Sequence, residues 1–261
     1  MTGPFRYTSP VPPKSATGTV ADVYTQLSTD FGIDRAPTFA VLSVAPPLLA
    51  GAWAVMRESL LAGRASRTEK EVVAAGVSLV NRCPFCVDAH TMLLHATGAH
   101  RLAETIARGE EPKDPVHRRL LAWGKDMSTE QPFPAGQAAE YIGTAFAFHF
   151  INRIVSSLLT KDTLPGGVQR FHLVRSVAGR TMAGTVRREL TPGTSLALLE
   201  TEGEPPWWAA GTAVGFVSRT PGLAVSDATR ASMTDVLLPH ETPEGVLLRA
   251  GVWVVSARRP A

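Results

Sequence analysis

Cys83 and Cys86 are the only two cysteines in a chain of 261 residues, and two residues separate them. His90 follows Cys86 by four positions, and Glu71 precedes Cys83 by twelve. A close pair of thiols can open and close a disulfide or hold a soft metal. With an imidazole and a carboxylate nearby, dithiol–disulfide redox chemistry is the more economical assignment. The reactive species is the thiolate, and an adjacent base produces it.

Helical geometry brings three of these residues together. Positions advance by about 100° per residue, so Cys83, Cys86 and His90 fall within an arc of roughly 60°. Cys83 would stand at the positive end of the helix, where free N–H groups favour a thiolate. His90 lies one turn beyond Cys86 and can take its proton. If the helices on either side of Asn81-Arg82 fold back on each other, Glu71 comes nearly level with His90. There the carboxylate would orient the ring and raise its basicity. The expected relay runs from Glu71 through His90 to Cys86, with Cys83 as the partner thiol.

Other assignments fit less well. Two buried apolar cysteines would leave the four-residue spacing unexplained. Cys83, Cys86, His90 and His95 have spacing close to a zinc knuckle, but one continuous helix cannot wrap four ligands around an ion. A haem attachment motif needs histidine directly after Cys86, where Val87 stands. As a structural staple, so short a disulfide loop gains little. His95 is about 140° further round than His90 and is expected at a surface or interface. Asp88 is expected to be a solvated first-turn acid, and His149, between Phe148 and Phe150, a satisfied core histidine. Arg64 and Arg67 are expected to cap or to lie on the surface, with attraction of an anionic substrate as the alternative. Trp207-Trp208 is expected to be a packing anchor.

The elements that must position the motif are helices. Residues 1–19 are rich in Pro, Ser, Thr and Gly and are expected to form an extended arm. Short helices are expected over 20–31 and over two pieces of 37–61, broken at Pro46-Pro47. Ser66 to Glu69 has the S-x-x-E capping-box spacing, so a helix starts there and runs to Val80. Val72, Val73, Gly76, Leu79 and Val80 would form its apolar face. Cys83 suits the N-cap and Pro84 the first turn of the next helix, which Gly98 ends. Further helices are expected over 100–108, 115–127, 137–159, 166–190, 205–217 and 226–238. The Val-rich stretch 246–256 fits either a strand or a helix. The fold class is all-α, with helices packed as antiparallel pairs.

The division expected is an arm over 1–19, a core lobe over 20–130 with the CxxC motif, and a second helical lobe over 137–261. The Pro-containing stretch 128–136 is the boundary candidate. Val80-Asn81-Arg82 is echoed by Ile151-Asn152-Arg153, which makes the second lobe a candidate degenerate copy. In that copy Ile154, Ser157 and Lys161 would replace Cys83, Cys86 and His90.

Bulk composition sets limits. Apolar residues make up 44% of the chain, enough for a sizeable core. The net charge of +3 comes from scattered arginines, with no basic run to track a nucleic acid. The N-terminus lacks a charged region followed by an apolar one. The longest uncharged stretch, 38–56, holds Pro46-Pro47 at its middle, against a membrane span. The expected setting is the cytoplasm, with neither nucleic acid nor membrane as partner.

The spacing Glu71-x11-Cys83-x2-Cys86-x3-His90 resembles the core motif of the AhpD-like alkylhydroperoxidases within the carboxymuconolactone decarboxylase superfamily. Residues 78–86 also look like that family's cysteine-bearing turn. The resemblance is strong over about residues 37–100. It is fainter in the second half, where residues 148–153 look like longer, two-lobed members. It implies an all-helical AhpD-like fold, a homo-oligomer (trimer or hexamer), and thiol-dependent reduction of a hydroperoxide. By the same resemblance Cys86 attacks the peroxide, Cys83 resolves it, and Glu71 and His90 relay the proton. An external dithiol or thiol protein would return the electrons, and no metal or organic cofactor is needed. The best-known peroxidases of the family carry a histidine just before the second cysteine, where this chain has Phe85. Two alternatives stay open: a disulfide oxidoreductase or redox-sensing helical oligomer without peroxide turnover, and a superfamily lyase of the decarboxylase type.

Overall fold

The computed structural model describes residues 4–160, 168, 171–199, 241–242 and 245–246. Nine α-helices occur among them. They are α1 (Gly18–Gln26), α2 (Pro37–Ala40), α3 (Pro46–Met56), α4 (Arg67–Val80), α5 (Pro84–Thr97), α6 (His100–Ala107), α7 (Pro115–Lys125), α8 (Ala138–Leu158) and α9 (His172–Val186). The only strands among the described residues are Glu241–Thr242 and Gly245–Val246, paired antiparallel. The fold is all-α. The expected helices over 205–217 and 226–238, Trp207-Trp208 and most of the Val-rich stretch lie outside the described residues.

Local sequence accounts for most helix ends. Pro46-Pro47 starts α3, because the fixed φ of proline suits a first turn and its missing N–H costs nothing there, whereas α2 has already ended at Ala40, before the prolines. Asp114 caps α7, its Oδ1 accepting from the N–H groups of Val116 at 2.8 Å and His117 at 3.0 Å. Ser66 caps α4 by accepting from the Glu69 N–H. The capping box is only half formed, since the Glu69 carboxylate accepts from the Tyr141 hydroxyl on α8 instead of turning back.

α4 is the axis of the molecule. Lys70 through Ser78 are all buried, with α5, α7 and α8 packed around them. The single apolar stripe expected from sequence is therefore too narrow, and Val80 at its end is 49% exposed. The ring of neighbours explains why the polar side chains of this stretch are also paired. Lys70 donates from Nζ to Ala62 O at 2.6 Å and to Glu140 Oε2 at 2.9 Å. Burial holds its ammonium below the ordinary lysine range, against the pull of Glu140. Glu140 also accepts from the backbone N–H groups of Arg64 and Ala65, so α8 pins the loop that leads into α4.

Two helix crossings depend on glycine as an absent side chain. Gly76 of α4 and Gly124 of α7 face each other; a Cβ on Gly124 would stand 2.5 Å from Val73 O. A Cβ on Gly179 of α9 would meet the Cβ of His95 on α5 at 2.6 Å. Both contacts are backbone-close, with little flexible side chain to yield.

Residues 4–12 lie along this body. Phe5 bridges Leu159, with Arg6 N–H donating to Leu158 O and Thr160 N–H to Pro4 O, and Val11 N–H donates to Ser43 Oγ. The segment 128–136 between α7 and α8 sends Phe133 inward, stacked on Tyr141 and edge-on to Trp123. The echo of the cysteine turn does not extend to structure. Ile151-Asn152-Arg153 lies inside the continuous α8, with no turn or new helix start. No helix among the described residues is long and apolar enough to cross a membrane.

The glycine crossing makes a direct prediction. Gly124→Ala should lower stability by about 1–3 kcal/mol, as overpacking does in close-packed cores. Gly136→Ala, where a Cβ meets open space, should change it little. Urea unfolding of the two variants measures the difference.

Candidate active site

The cysteine turn is held by backbone geometry. α4 ends with the Arg82 N–H donating to Leu79 O and the Cys83 N–H donating to Ser78 O, the paired bonds of a Schellman cap. That cap requires a left-handed residue, and Arg82 takes the position with φ 52°. Glycine would be the easier choice there. Cys83 is thus both the residue that closes α4 and the N-cap of α5, with Pro84 in the first turn. Cys83 and Cys86 are disulfide-bonded, their Cα atoms 5.3 Å apart.

Glu71 and His90 meet as the fold-back of α4 and α5 requires. His90 Nδ1 lies 2.7 Å from Glu71 Oε2, and both residues are buried. The other carboxylate oxygen, Oε1, faces Arg67, whose Nε and Nη2 both stand at 2.8 Å. Burial alone would raise the Glu71 carboxyl. Arg67, followed by His90, outweighs it and holds the group below its ordinary range. An ionised carboxylate can only accept, so the proton of a neutral His90 sits on Nδ1 and donates to Glu71. Nε2 is left as the basic nitrogen of the ring. The ring stands edge-on against Phe148 of α8, centroids 4.3 Å apart, which fixes its remaining freedom.

Cys86 and His90 open onto a cavity of about 370 Å³. Its walls are mainly apolar: Phe31, Phe39, Met56, Leu60, Phe85, Leu93, Phe148 and Met182 among others. The polar residues in the lining besides Cys86 and His90 are Thr38 and Asp88. Cys83 is buried and does not line it. The two thiol positions are therefore inequivalent: one faces the cavity and the other the backbone turn. Phe85 is part of the wall, so an apolar ring fills the place between the cysteines.

This combination of helical fold, cysteine turn and carboxylate-bound histidine coincides with what comparison finds. The carboxymuconolactone decarboxylase family matches residues 47–123, from α3 through most of α7. The chain is also 43% identical over 197 residues to an alkyl hydroperoxide reductase of Mycobacterium tuberculosis. It is an AhpD-like member of the carboxymuconolactone decarboxylase superfamily. The aligned region is 73% of this chain and 57% of that relative, so the match spans just over half of the relative's length. No solved structure matches the chain. Within the AhpD-like chain, the family match covers all four motif residues but stops short of α8 and α9, which close the cavity.

Three expectations need correction or extension. Arg67 is no surface or capping residue: it is the partner that keeps Glu71 charged, and its i,i+4 spacing was visible. His95, expected at a surface or interface, is buried within the chain at 1% exposure, against Glu104 of α6 and His172 of α9. Asp88 is half-buried at the cavity rather than solvated. His149 is a satisfied core histidine as expected. Its Nδ1 lies 3.2 Å from Asn81 Nδ2, which makes it an acceptor at the cap of α4.

His149 gives this site a pH dependence. Burial, followed by the charge of Arg153, pushes it down to about 4. The unfolded chain takes up this proton near pH 6.5, and the folded chain does not until about pH 4. The stability is complete above pH 6.5 and is lost as pH falls through that window, by roughly 3 kcal/mol. His149→Gln keeps an acceptor for Asn81 and should flatten the fall between pH 6.5 and 4 when unfolding is followed by chemical denaturation. An unchanged slope would show that other groups carry it.

Proposed function

We infer that this chain reduces organic hydroperoxides with the Cys83/Cys86 pair, Cys86 attacking and Cys83 resolving. The observation that carries the inference is the inequivalence of the two sulfurs. Cys86 shares an apolar cavity with His90, and Cys83 lies outside it. The name of the relative, an alkyl hydroperoxide reductase, supports the same chemistry.

The cycle starts from the dithiol. His90 Nε2 takes the Cys86 proton, and the Glu71 carboxylate stabilises the resulting imidazolium through Nδ1. The Cys86 thiolate attacks the terminal oxygen of R–O–O–H, the O–O bond breaks, and the leaving alkoxide takes a proton from His90. The products are a sulfenic acid on Cys86 and an alcohol. The Cys83 thiol condenses with the sulfenic acid, forming the disulfide and releasing water. An external dithiol then restores the pair by exchange, ending as a disulfide itself. The described state, with the disulfide closed, corresponds to the end of peroxide reduction. Arg67 is a positioning residue in this scheme, since it touches only Glu71 among the relay groups.

The walls favour peroxides with an apolar substituent, because hydrogen peroxide has nothing to bury against them. Phe85 supports a second reading: a disulfide that forms and is reduced without efficient peroxide turnover. In the proposed assembly the chain is a homo-oligomer. Phe171, Leu173 and Val177 support this by leaving large apolar side chains exposed on and beside α9.

Stopped-flow oxidation of the reduced chain separates these readings. Cumene hydroperoxide should react at least tenfold faster than hydrogen peroxide, and both faster than a free thiol at the same pH. Cys86→Ser should abolish the reaction, and Cys83→Ser should leave one equivalent of trappable sulfenic acid. A rate equal to that of free thiol would remove the peroxidase and leave the redox-sensing disulfide. Activity on a small cyclic carboxylate that survives loss of both cysteines would instead point to a lyase.

A further inference from the structure

On the face of α5 away from the cysteines, three helices bring imidazole and carboxylate groups together. His95 lies in the last turn of α5, Glu104 on α6, and His172 at the first position of α9. One ligand atom from each of these three lies within 4.8 Å of the others. We propose that His95, Glu104 and His172 bind a divalent first-row transition ion, with His100 holding the His95 ring from behind.

The geometry at His95 is that of a ligand with a backing partner. Its Nε2 is 2.8 Å from Glu104 Oε1, and its Nδ1 is 2.9 Å from His100 Nδ1. A metal-bound histidine characteristically engages its other ring nitrogen in a hydrogen bond, which fixes the tautomer and the ring plane. Here Nδ1–H would donate to His100, leaving Nε2 as the donor atom for the ion. The C-terminal end of α5 adds its negative dipole end beside the same ring.

Glu104 is oriented for the task. Arg175 Nη2 donates to Oε2 at 2.8 Å and also approaches Oε1 at 3.1 Å. With an ion present, Oε1 would turn to the metal and Arg175 would keep Oε2. Metal–nitrogen and metal–oxygen bonds of about 2.0–2.2 Å draw tetrahedral ligands to roughly 3.3 Å apart. His172 is exposed and can supply that closure by side-chain rotation. Two imidazoles and one carboxylate suit zinc, cobalt, nickel or iron in the divalent state. Such an ion would tie α9 to α5 and α6, and α9 carries Ala178 and Met182 into the cavity wall.

The site is separate from the redox pair, and its test keeps them separate. The chain is taken with the Cys83–Cys86 disulfide closed, so that no thiolate competes for metal. Zinc alone is titrated calorimetrically, and cobalt(II) is followed by its visible absorption. One ion per chain, a rise in Tm with zinc, and cobalt bands characteristic of four-coordinate nitrogen and oxygen ligation are expected. His172→Ala, an exposed position, should weaken binding at least tenfold and remove the Tm shift, and Glu104→Gln should do likewise. His117→Ala on α7 should leave binding unchanged. No retention by the parent chain, or equal affinity in His172→Ala, would overturn the proposal whatever the outcome of the peroxide assays.

Discussion

The buried carboxylate of Glu71 is the constraint around which the rest is arranged. A charge buried in the second turn of α4 is sustained only if both oxygens have partners, because an isolated ion in an apolar interior is strongly disfavoured. Arg67, one turn earlier on the same helix, serves one oxygen, and His90, from the next helix, serves the other. The His90 contact ties the register of α4 to that of α5, while Arg67 holds the carboxylate from within α4. The contact with Glu71 also fixes the tautomer of His90 and leaves Nε2 as its basic nitrogen, the atom to which the proposed cycle assigns the Cys86 proton. The same interaction thus bears on folding and on chemistry.

Around that pair the architecture separates into two parts. Residues 67–90 carry the disulfide, His90 and their electrostatic support on one hairpin of helices. The cavity they face is built by other segments: the stretch from Phe31 to Phe39, Met56 and Leu60, Phe148 and Ile151 on α8, and Ala178 and Met182 on α9. A close crossing at Gly179 lets α9 approach the hairpin tightly, and Gly76 and Gly124 do the same for α7 on a side away from the cavity.

The sequence made the hairpin legible because its signals are local. Proline at Pro84, serine at Ser66 and glycine at Gly98 mark helix ends by backbone chemistry, and i,i+4 spacing places Cys86 above His90. Glu71 was reachable by counting residues from a turn. What the sequence did not reveal depends on helices distant in the chain. The sequence points to a surface or interface for His95, because nothing in its neighbourhood announces that α9 covers it. Val80 was placed in the core because periodicity reports a stripe, whereas α4 is enclosed by neighbours on several sides. Arg67 was available from its spacing to Glu71, but a charged pair on a helix usually signifies a solvated face. The left-handed Arg82 is legible only from the backbone, since the residue type there argues against it.

The division between hairpin and cavity has a consequence for how such a chain can diversify. In the proposed cycle, proton transfer and disulfide closure draw on one short, contiguous piece of sequence, whereas the shape of the chamber draws on side chains from Phe31 to Met182. Substitutions at Met56, Leu60 or Met182 can therefore alter which molecules fit without disturbing the ionised pair beneath His90. Selectivity and reactivity become separately adjustable properties, as though a fixed electrode had been fitted with an exchangeable housing.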